Sequence, residues 1–307
     1  MPFSLSYFSF PPLTPRKHYT IPLPGRAPLS LGARTLVMGI LNVTPDSFAD
    51  GGLRFDPVRA VEDGFRMIED GADILDVGGE STRPGAEPVA AEEELRRVLP
   101  VIDALASRGR VPVSIDTYKA VVAREAVAGG AVIVNDVSGL QYDDGLAKVV
   151  AETRAALVLM HNRGRSREMY REASYDDVPA EIARELEAAI SRAMASGVER
   201  EAVILDPGLG FAKRADHSYA ALASLDRLAT LDRPILSGPS RKSFLTLAIG
   251  ELPPGEREWG TAAAVAASVL LGAHMVRVHG VKEMAQVVGV ADRLRQAGER
   301  GGTCRTP

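Results

Sequence analysis

Eight short apolar, β-branched runs recur along the chain: "TLVMGILN" (35–42), "DILDVG" (73–78), "VPVSID" (111–116), "AVIVND" (131–136), "AALVLMH" (155–161), "AVILD" (202–206), "PILSG" (234–238) and "HMVRVH" (274–279). They begin on average about 34 residues apart, and helical patterns lie between them. Val58, Val61, Phe65 and Ile68 recur at helical spacing, as do Val178, Ile182, Leu186, Ile190 and Met194. Strands this uniformly apolar are buried on both faces, which points to a parallel sheet covered by helices. Eight strand–helix units close a (β/α)₈ barrel, and 307 residues suit one such domain. A doubly wound sheet is the alternative, but no glycine-rich dinucleotide fingerprint follows the first strand.

Polar groups gather at the carboxyl end of nearly every run: Asn42, Asp76, Asp116, Asn135 with Asp136, His161, Asp206, Ser237, Arg277 and His279. A buried polar group costs free energy unless it is paired. In a barrel these ends converge on one mouth, the usual place of an active site. The pattern therefore predicts a polar pocket there.

Before the first strand, residues 19–32 read as two short strands around Pro24-Gly25, a hairpin capping the barrel bottom. Residues 1–34 are taken as extension and hairpin, 35–298 as the barrel and 299–307 as a flexible tail, with the polar sequence after Leu294 expected to fray. A net charge of −4 without a basic patch argues against nucleic acid as a partner. The one cysteine, Cys304, allows no intrachain disulfide or thiolate metal site. The N-terminus lacks a basic n-region and no apolar run has membrane-spanning length, so a cytoplasmic protein is expected.

The strand-end motifs carry a resemblance. "ILNVTPDSFADGG" (40–52), "DVGGESTRPGA" (76–86), "SIDTYK" (114–119), "VNDVSG" (134–139), "LMHNRG" (159–164), "LDPGLGFAK" (205–213), "GPSRKSF" (238–244) and "RVH" (277–279) resemble, in order, the dihydropteroate synthase family of folate biosynthesis. The resemblance runs from about residue 20 to 294. It implies a (β/α)₈ barrel that joins p-aminobenzoate to 6-hydroxymethyl-7,8-dihydropterin diphosphate, giving 7,8-dihydropteroate and diphosphate. By resemblance Asp206 accepts from the pterin 2-amino and N3 edge, Asp116 and Asn135 hold the opposite ring nitrogens, Lys242 reaches the ring carbonyl side and Met160 lies against a ring face. Phe48, Thr82, Pro84 and Ser243 would line the p-aminobenzoate pocket, and Arg83, Arg277 and His279 the diphosphate, with Asn42 the protein ligand of a Mg²⁺ there. Asp76 would support the site from below. The loops 40–52 and 76–86 correspond to mobile flaps in the family.

These residue types suit the chemistry. Buried carboxylates match the N–H donors of a pterin edge and reject rings lacking them. Arg277 and His279 alternate on a strand and so face one side, and a guanidinium fork fits phosphate oxygens. An asparagine oxygen suits a hard ion that keeps most ligands as water and phosphate. The expected mechanism is dissociative: diphosphate leaves a cation delocalised into the dihydropterin before the aniline nitrogen attacks. Arg83, Arg277, His279 and Mg²⁺ would stabilise the leaving charge, while Asp116, Asp206 and Lys242 hold the pterin.

One departure stands out, Gly280 where the family has an aspartate after the histidine. Two rival readings share parts of the pattern. A methyltetrahydrofolate-dependent corrinoid methyltransferase barrel would keep the Asp-Asn-Asp pocket but has no use for "STRPG" or "GPSRKSF", and a non-catalytic pterin-binding scaffold would lose diphosphate residues. The resemblance also implies a homodimer. The alanine-rich segment 261–273 reads equally as its interface or as core packing.

Overall fold

The computed structural model describes residues 13, 15–44, 56–81, 85–164 and 173–299. Strands β1 (Tyr19–Ile21) and β2 (Leu29–Leu31) pair antiparallel as a hairpin. Eight parallel strands follow: β3 (Leu36–Asn42), β4 (Ile74–Gly78), β5 (Val113–Asp116), β6 (Ile133–Asp136), β7 (Ala156–Met160), β8 (Val203–Asp206), β9 (Leu236–Ser237) and β10 (Met275–Val278). They hydrogen-bond in the order β8-β7-β6-β5-β4-β3-β10-β9, and a parallel bridge from Leu205 to Ile235 joins the two ends. The result is the expected (β/α)₈ barrel, and the doubly wound alternative falls away.

Helices α1 (Pro57–Glu69), α2 (Ala91–Arg108), α3 (Ala120–Ala128), α4 (Leu146–Thr153), α5 (Val178–Ala195), α6 (Ala215–Ala223), α7 (Thr246–Ile249), α8 (Glu258–Leu270) and α9 (Val281–Glu299) surround it. Local sequence sets their starts. Asp56 caps α1 by accepting from Val58 and Arg59 N–H, with Pro57 in the first turn, where its missing N–H costs nothing. Asp177 and Pro179 repeat the device on α5.

Strand periodicity divides the side chains between two cores. Val37, Leu41, Leu75, Val77, Ile115, Val134, Leu157, Leu159, Leu205 and Val276 face outward against the helices. Leu36, Met38, Ile74, Ile133, Val158, Ile204, Leu236 and Met275 face inward and join Tyr19, Ile21, Leu23 and Leu31 of the hairpin segment in one buried cluster. The hairpin thus plugs the amino-terminal end of the barrel, as expected. That apolar floor leaves the inward positions nearer the carboxyl ends to form a polar layer.

Some details differ from expectation. Val58 and Met194 sit on predicted apolar faces yet are 65% and 46% exposed, because Ala60, Val61 and Gly64 form the buried stripe of α1 and α5 buries only as far as Ala193. The chain does not fray at Leu294: α9 runs to Glu299, and Arg295 Nη1 donates to Leu270 O at 2.6 Å. The same helix holds the segments around β1 and β3, since Asp292 accepts from Thr35 N (2.7 Å), Thr35 Oγ1 (2.8 Å) and Arg16 Nη2 (3.3 Å). Among the described residues no helix is long and apolar enough to cross a membrane.

Candidate active site

Two residues beyond the apolar floor, the inward positions become Asp76, Asp116, Asn135, Met160, Asp206 and Arg277. Six strands therefore contribute one layer, polar except for Met160, and Arg277 is its hub. Its Nε donates to Asp76 Oδ2 at 2.6 Å and its Nη2 to Asp116 Oδ2 at 2.7 Å. Asp76 Oδ2 also accepts from Asn135 Nδ2 at 2.8 Å. A carboxylate only accepts, so this contact fixes which end of the Asn135 amide faces Asp76. Asp76 Oδ2 thus orients both Arg277 and Asn135.

The electrostatics are unbalanced in a way that favours a ligand. Asp76 Oδ1 and Asp116 Oδ1 are buried with no hydrogen-bond partner among the described residues. Burial pushes the Asp116 carboxyl up to about 7, against the pull of Arg277 and with a further push from Asp76. Burial likewise raises Asp206, whose charge Lys242, the Gly208 N–H and Arg277 favour. Arg277 is held above its ordinary value, since Asp76 and Asp116 outweigh the desolvation that opposes its charge. Such unpaired buried acceptors cost stability and are where N–H donors of a ligand gain most.

Asp206 ends β8 and is locked by its own turn, accepting from Gly208 N–H at 2.7 Å through Oδ1. Gly208 takes φ +66°, and a Cβ there would lie 2.0 Å from His161 O, so only glycine fits. Lys242 lies along Gly210 and Phe211, its Nζ 4.6 Å from the Phe211 ring centroid. Burial lowers the Lys242 pKa to about 8, with Asp206 opposing the shift. Met160 is buried at the end of β7, paired in register with Asp206. His279 follows β10, its Nδ1 3.0 Å from Ser240 Oγ, which also accepts from His279 N–H at 3.2 Å. A hydroxyl that donates to Nδ1 leaves the ring proton on Nε2. Asn42 ends β3, and its Oδ1 and Asp116 Oδ2 flank the backbone of Gly78. Ser243 is exposed beside Lys242. Phe48, Thr82, Arg83 and Pro84 lie outside the described residues.

Three of the polar strand-end groups do not enter this pocket. Asp136 follows the inward Asn135 and so faces out, where it accepts from Ser138 N (2.8 Å) and Leu140 N (2.6 Å). Ser237 meets Ser268 Oγ of α8 at 2.9 Å. His161 has the outward parity of Leu157 and Leu159; its Nε2 is 3.0 Å from Glu185 Oε2 and its Nδ1 2.7 Å from Lys213 Nζ. Burial, with Lys213 adding to it, lowers the His161 pKa to about 4, so the ring is neutral. Lys213, which ends the motif "GLGFAK" and to which the motif reading gives no role, is almost fully buried and also donates to Phe211 O (3.0 Å) and Gly208 O (3.1 Å). It staples the turn behind Asp206 to the end of β7.

Two outer devices hold the mouth. Lys119 Nζ donates to Glu80 Oε2 (2.5 Å), Glu94 Oε2 (2.5 Å) and Val89 O (2.6 Å), using all three of its protons. Glu80 Oε2 also accepts from Val89 N at 3.0 Å, so both ends of the 80–89 loop are clamped together.

A sequence profile described as "Pterin binding enzyme" matches residues 38–279. The dihydropteroate synthase of Synechocystis sp. is 44% identical over 278 residues, covering 90% of this chain and 96% of that protein. The chain belongs to the dihydropteroate synthase family of pterin-binding enzymes. Solved members share the fold. Yersinia pestis dihydropteroate synthase in complex with a sulfonamide drug superposes with a TM-score of 0.85 at 40% identity, covering 91% of this chain and 100% of that one. Xanthomonas albilineans dihydropteroate synthase in complex with 7,8-dihydropteroate gives 0.79 at 40% identity, covering 89% and 99%.

Proposed function

We propose that this enzyme condenses 6-hydroxymethyl-7,8-dihydropterin diphosphate with p-aminobenzoate, releasing diphosphate and forming 7,8-dihydropteroate. The observation that carries the reading is the polar layer itself: Asp116 on β5 and Asp206 on β8 are buried three strand positions apart in the barrel interior, Asp116 Oδ1 has no hydrogen-bond partner among the described residues, and Arg277 donates to Asp116 Oδ2. Asp206 would accept from the 2-amino and N3 edge of the pterin, Asp116 and Asn135 would hold the opposite ring nitrogens, and Met160 would cover a face. Lys242 would donate toward the ring carbonyl. The Asn135 amide suits this task because Asp76 fixes its orientation.

Arg277 and His279 (through Nε2–H), together with Arg83, would take the charge that develops as the C–O bond to diphosphate breaks. A preorganised donor aimed at developing charge contributes roughly 10²- to 10³-fold in rate. The cation left on the methylene is spread into the dihydropterin ring and is favoured by the Asp116 and Asp206 carboxylates. The aniline nitrogen of p-aminobenzoate, held by Phe48, Thr82, Pro84 and Ser243, then attacks and loses its proton. No protein nucleophile is required.

Mg²⁺ fits this site as a substrate-bound ion. Among the described residues no group of three or more His, Cys, Asp or Glu could hold a metal, whereas the Asn42 oxygen at the mouth offers one hard donor. Asn42 would hold the ion, which would neutralise diphosphate charge.

We also propose a homodimer through α8 and α9. Ala266, Leu270, Val287, Val290 and Leu294 line an apolar groove between these helices, with Val290 63% and Leu294 58% exposed.

The test is calorimetry with the pterin diphosphate, followed by diphosphate release with and without p-aminobenzoate. Release that depends on p-aminobenzoate supports the condensation. Pterin binding without any release would favour a scaffold, and transfer of a methyl group from methyltetrahydrofolate the corrinoid-type reaction.

A further inference from the structure

Arg241, one residue before Lys242, has a left-handed backbone (φ +56°) that most side chains avoid. Contacts from the start of α8 hold it there. Its N–H donates to Thr261 Oγ1 at 3.0 Å, and its carbonyl accepts from Arg257 Nη1 at 3.0 Å. Its guanidinium donates to Glu258, Nε to Oε2 at 3.0 Å and Nη2 to Oε1 at 3.3 Å. The same carboxylate lies against the chain leaving β10. A Cβ at residue 280 would stand 2.0 Å from Glu258 Oε1, so Gly280 leaves the room that Glu258 fills.

Glu258 therefore sits where two functional segments meet. One neighbour of the crossing is Lys242, after Arg241; the other is His279, before Gly280. Ser240, before Arg241, bonds His279 directly. We propose that Glu258 is a positioning residue: its carboxylate fixes the turn that presents Lys242 and sets the place of His279, in the space a side chain at residue 280 would otherwise occupy. It touches no substrate and acts through Arg241 and the Gly280 backbone. The proposal rests on the condensation reading for the roles of Lys242 and His279.

It predicts a reversal of sign in a mutant cycle. Glu258→Ala should weaken binding of 6-hydroxymethyl-7,8-dihydropterin and lower kcat/KM for coupling by about tenfold or more, since the Arg241 turn loses its anchor. Gly280→Asp alone should also impair both, because two carboxylates then compete for one space. The double variant Glu258→Ala/Gly280→Asp restores one carboxylate from the other side, and both quantities should return to within about threefold of wild type. A change in which position alone matters does not produce this rescue. Glu258→Gln, which keeps the shape and loses the charge, should fall between wild type and alanine and guards against an alanine variant that folds poorly. If Glu258→Gln and Glu258→Ala bind pterin and couple within twofold of wild type, or if the two single losses multiply in the double variant, Glu258 is not a positioning residue. Failure of the wild type to form dihydropteroate would refute the condensation instead, and the pterin-binding arm of the cycle would still decide the place of Glu258.

Discussion

Arg277 on β10 reaches across the barrel to Asp116 on β5, three strand positions away in the sheet, and donates to it at 2.7 Å. Its second contact, to Asp76 at 2.6 Å, makes one guanidinium the counter-ion of two buried carboxylates. This links the end of the site assigned to diphosphate with the end assigned to pterin. Removing a partner from a buried pair costs roughly 3–5 kcal/mol, because the remaining charge stays buried.

Arg277→Met should therefore destabilise the protein by several degrees in thermal midpoint as well as abolish coupling. Arg277→Lys keeps a charge but cannot serve two carboxylates through a planar fork. We expect it to fold with a midpoint closer to wild type and to lose about 10²-fold in kcat/KM. A lysine variant with wild-type kinetics would show that the fork geometry is unimportant.

Asp206→Asn places a donor opposite ligand donors. The loss of a charge-assisted bond with an unsatisfied buried group is worth about 2–4 kcal/mol, or roughly 30- to 1,000-fold in pterin affinity. Calorimetry on a variant that melts normally checks this, and affinity within threefold of wild type would remove Asp206 from the pocket.

The pH dependence has a defined sign. Asp116 is pushed up to about 7 by burial, so it is protonated below that pH and accepts N–H donors fully only above it. Lys242 is lowered to about 8 by burial, so it loses its donating charge above that pH. Pterin affinity should rise as pH approaches 7 from below, peak between 7 and 8, and fall beyond. Asp116→Asn should flatten the acid limb. An acid limb unchanged in that variant would assign the titration elsewhere.

Gly208→Ala forces a Cβ to within 2.0 Å of His161 O at a φ of +66°. The turn behind Asp206 must then move, at a cost of about 2–4 kcal/mol. Thermal unfolding should show the loss, with weakened pterin binding alongside it. Unaltered stability would mean that this turn yields more easily than its contacts to Lys213 suggest.

The barrel was legible because its signal repeats: strand runs at regular spacing leave little freedom in the fold. Much of the site was legible through parity. Asp76, Asn135, Asp206 and Arg277 share the register of inward apolar residues two positions earlier. Asp136 and His161 could have been set aside by the same rule, since they alternate with inward Asn135 and Met160. Lys213 carried no such signal, because its burial depends on three carbonyls and a histidine gathered by tertiary structure. The contact of Glu258 with Gly280 was invisible for the same reason, although Gly280 itself stood out. Segments such as Val58 and Met194 misled because helical periodicity does not reveal where the buried face ends.

The α8–α9 groove gives a separate check. Leu294→Asp should shift the protein from dimer to monomer in light scattering, since an added charge opposes burial of that surface. Retention of the dimer would place the interface elsewhere.

The most direct measurement is product formation by the purified enzyme given 6-hydroxymethyl-7,8-dihydropterin diphosphate, p-aminobenzoate and Mg²⁺, with 7,8-dihydropteroate identified by mass and diphosphate quantified in the same samples. The account predicts one dihydropteroate for each diphosphate released, and loss of both on Asp206→Asn. Diphosphate release without dihydropteroate, or dihydropteroate formed at the wild-type rate by Asp206→Asn, would contradict it.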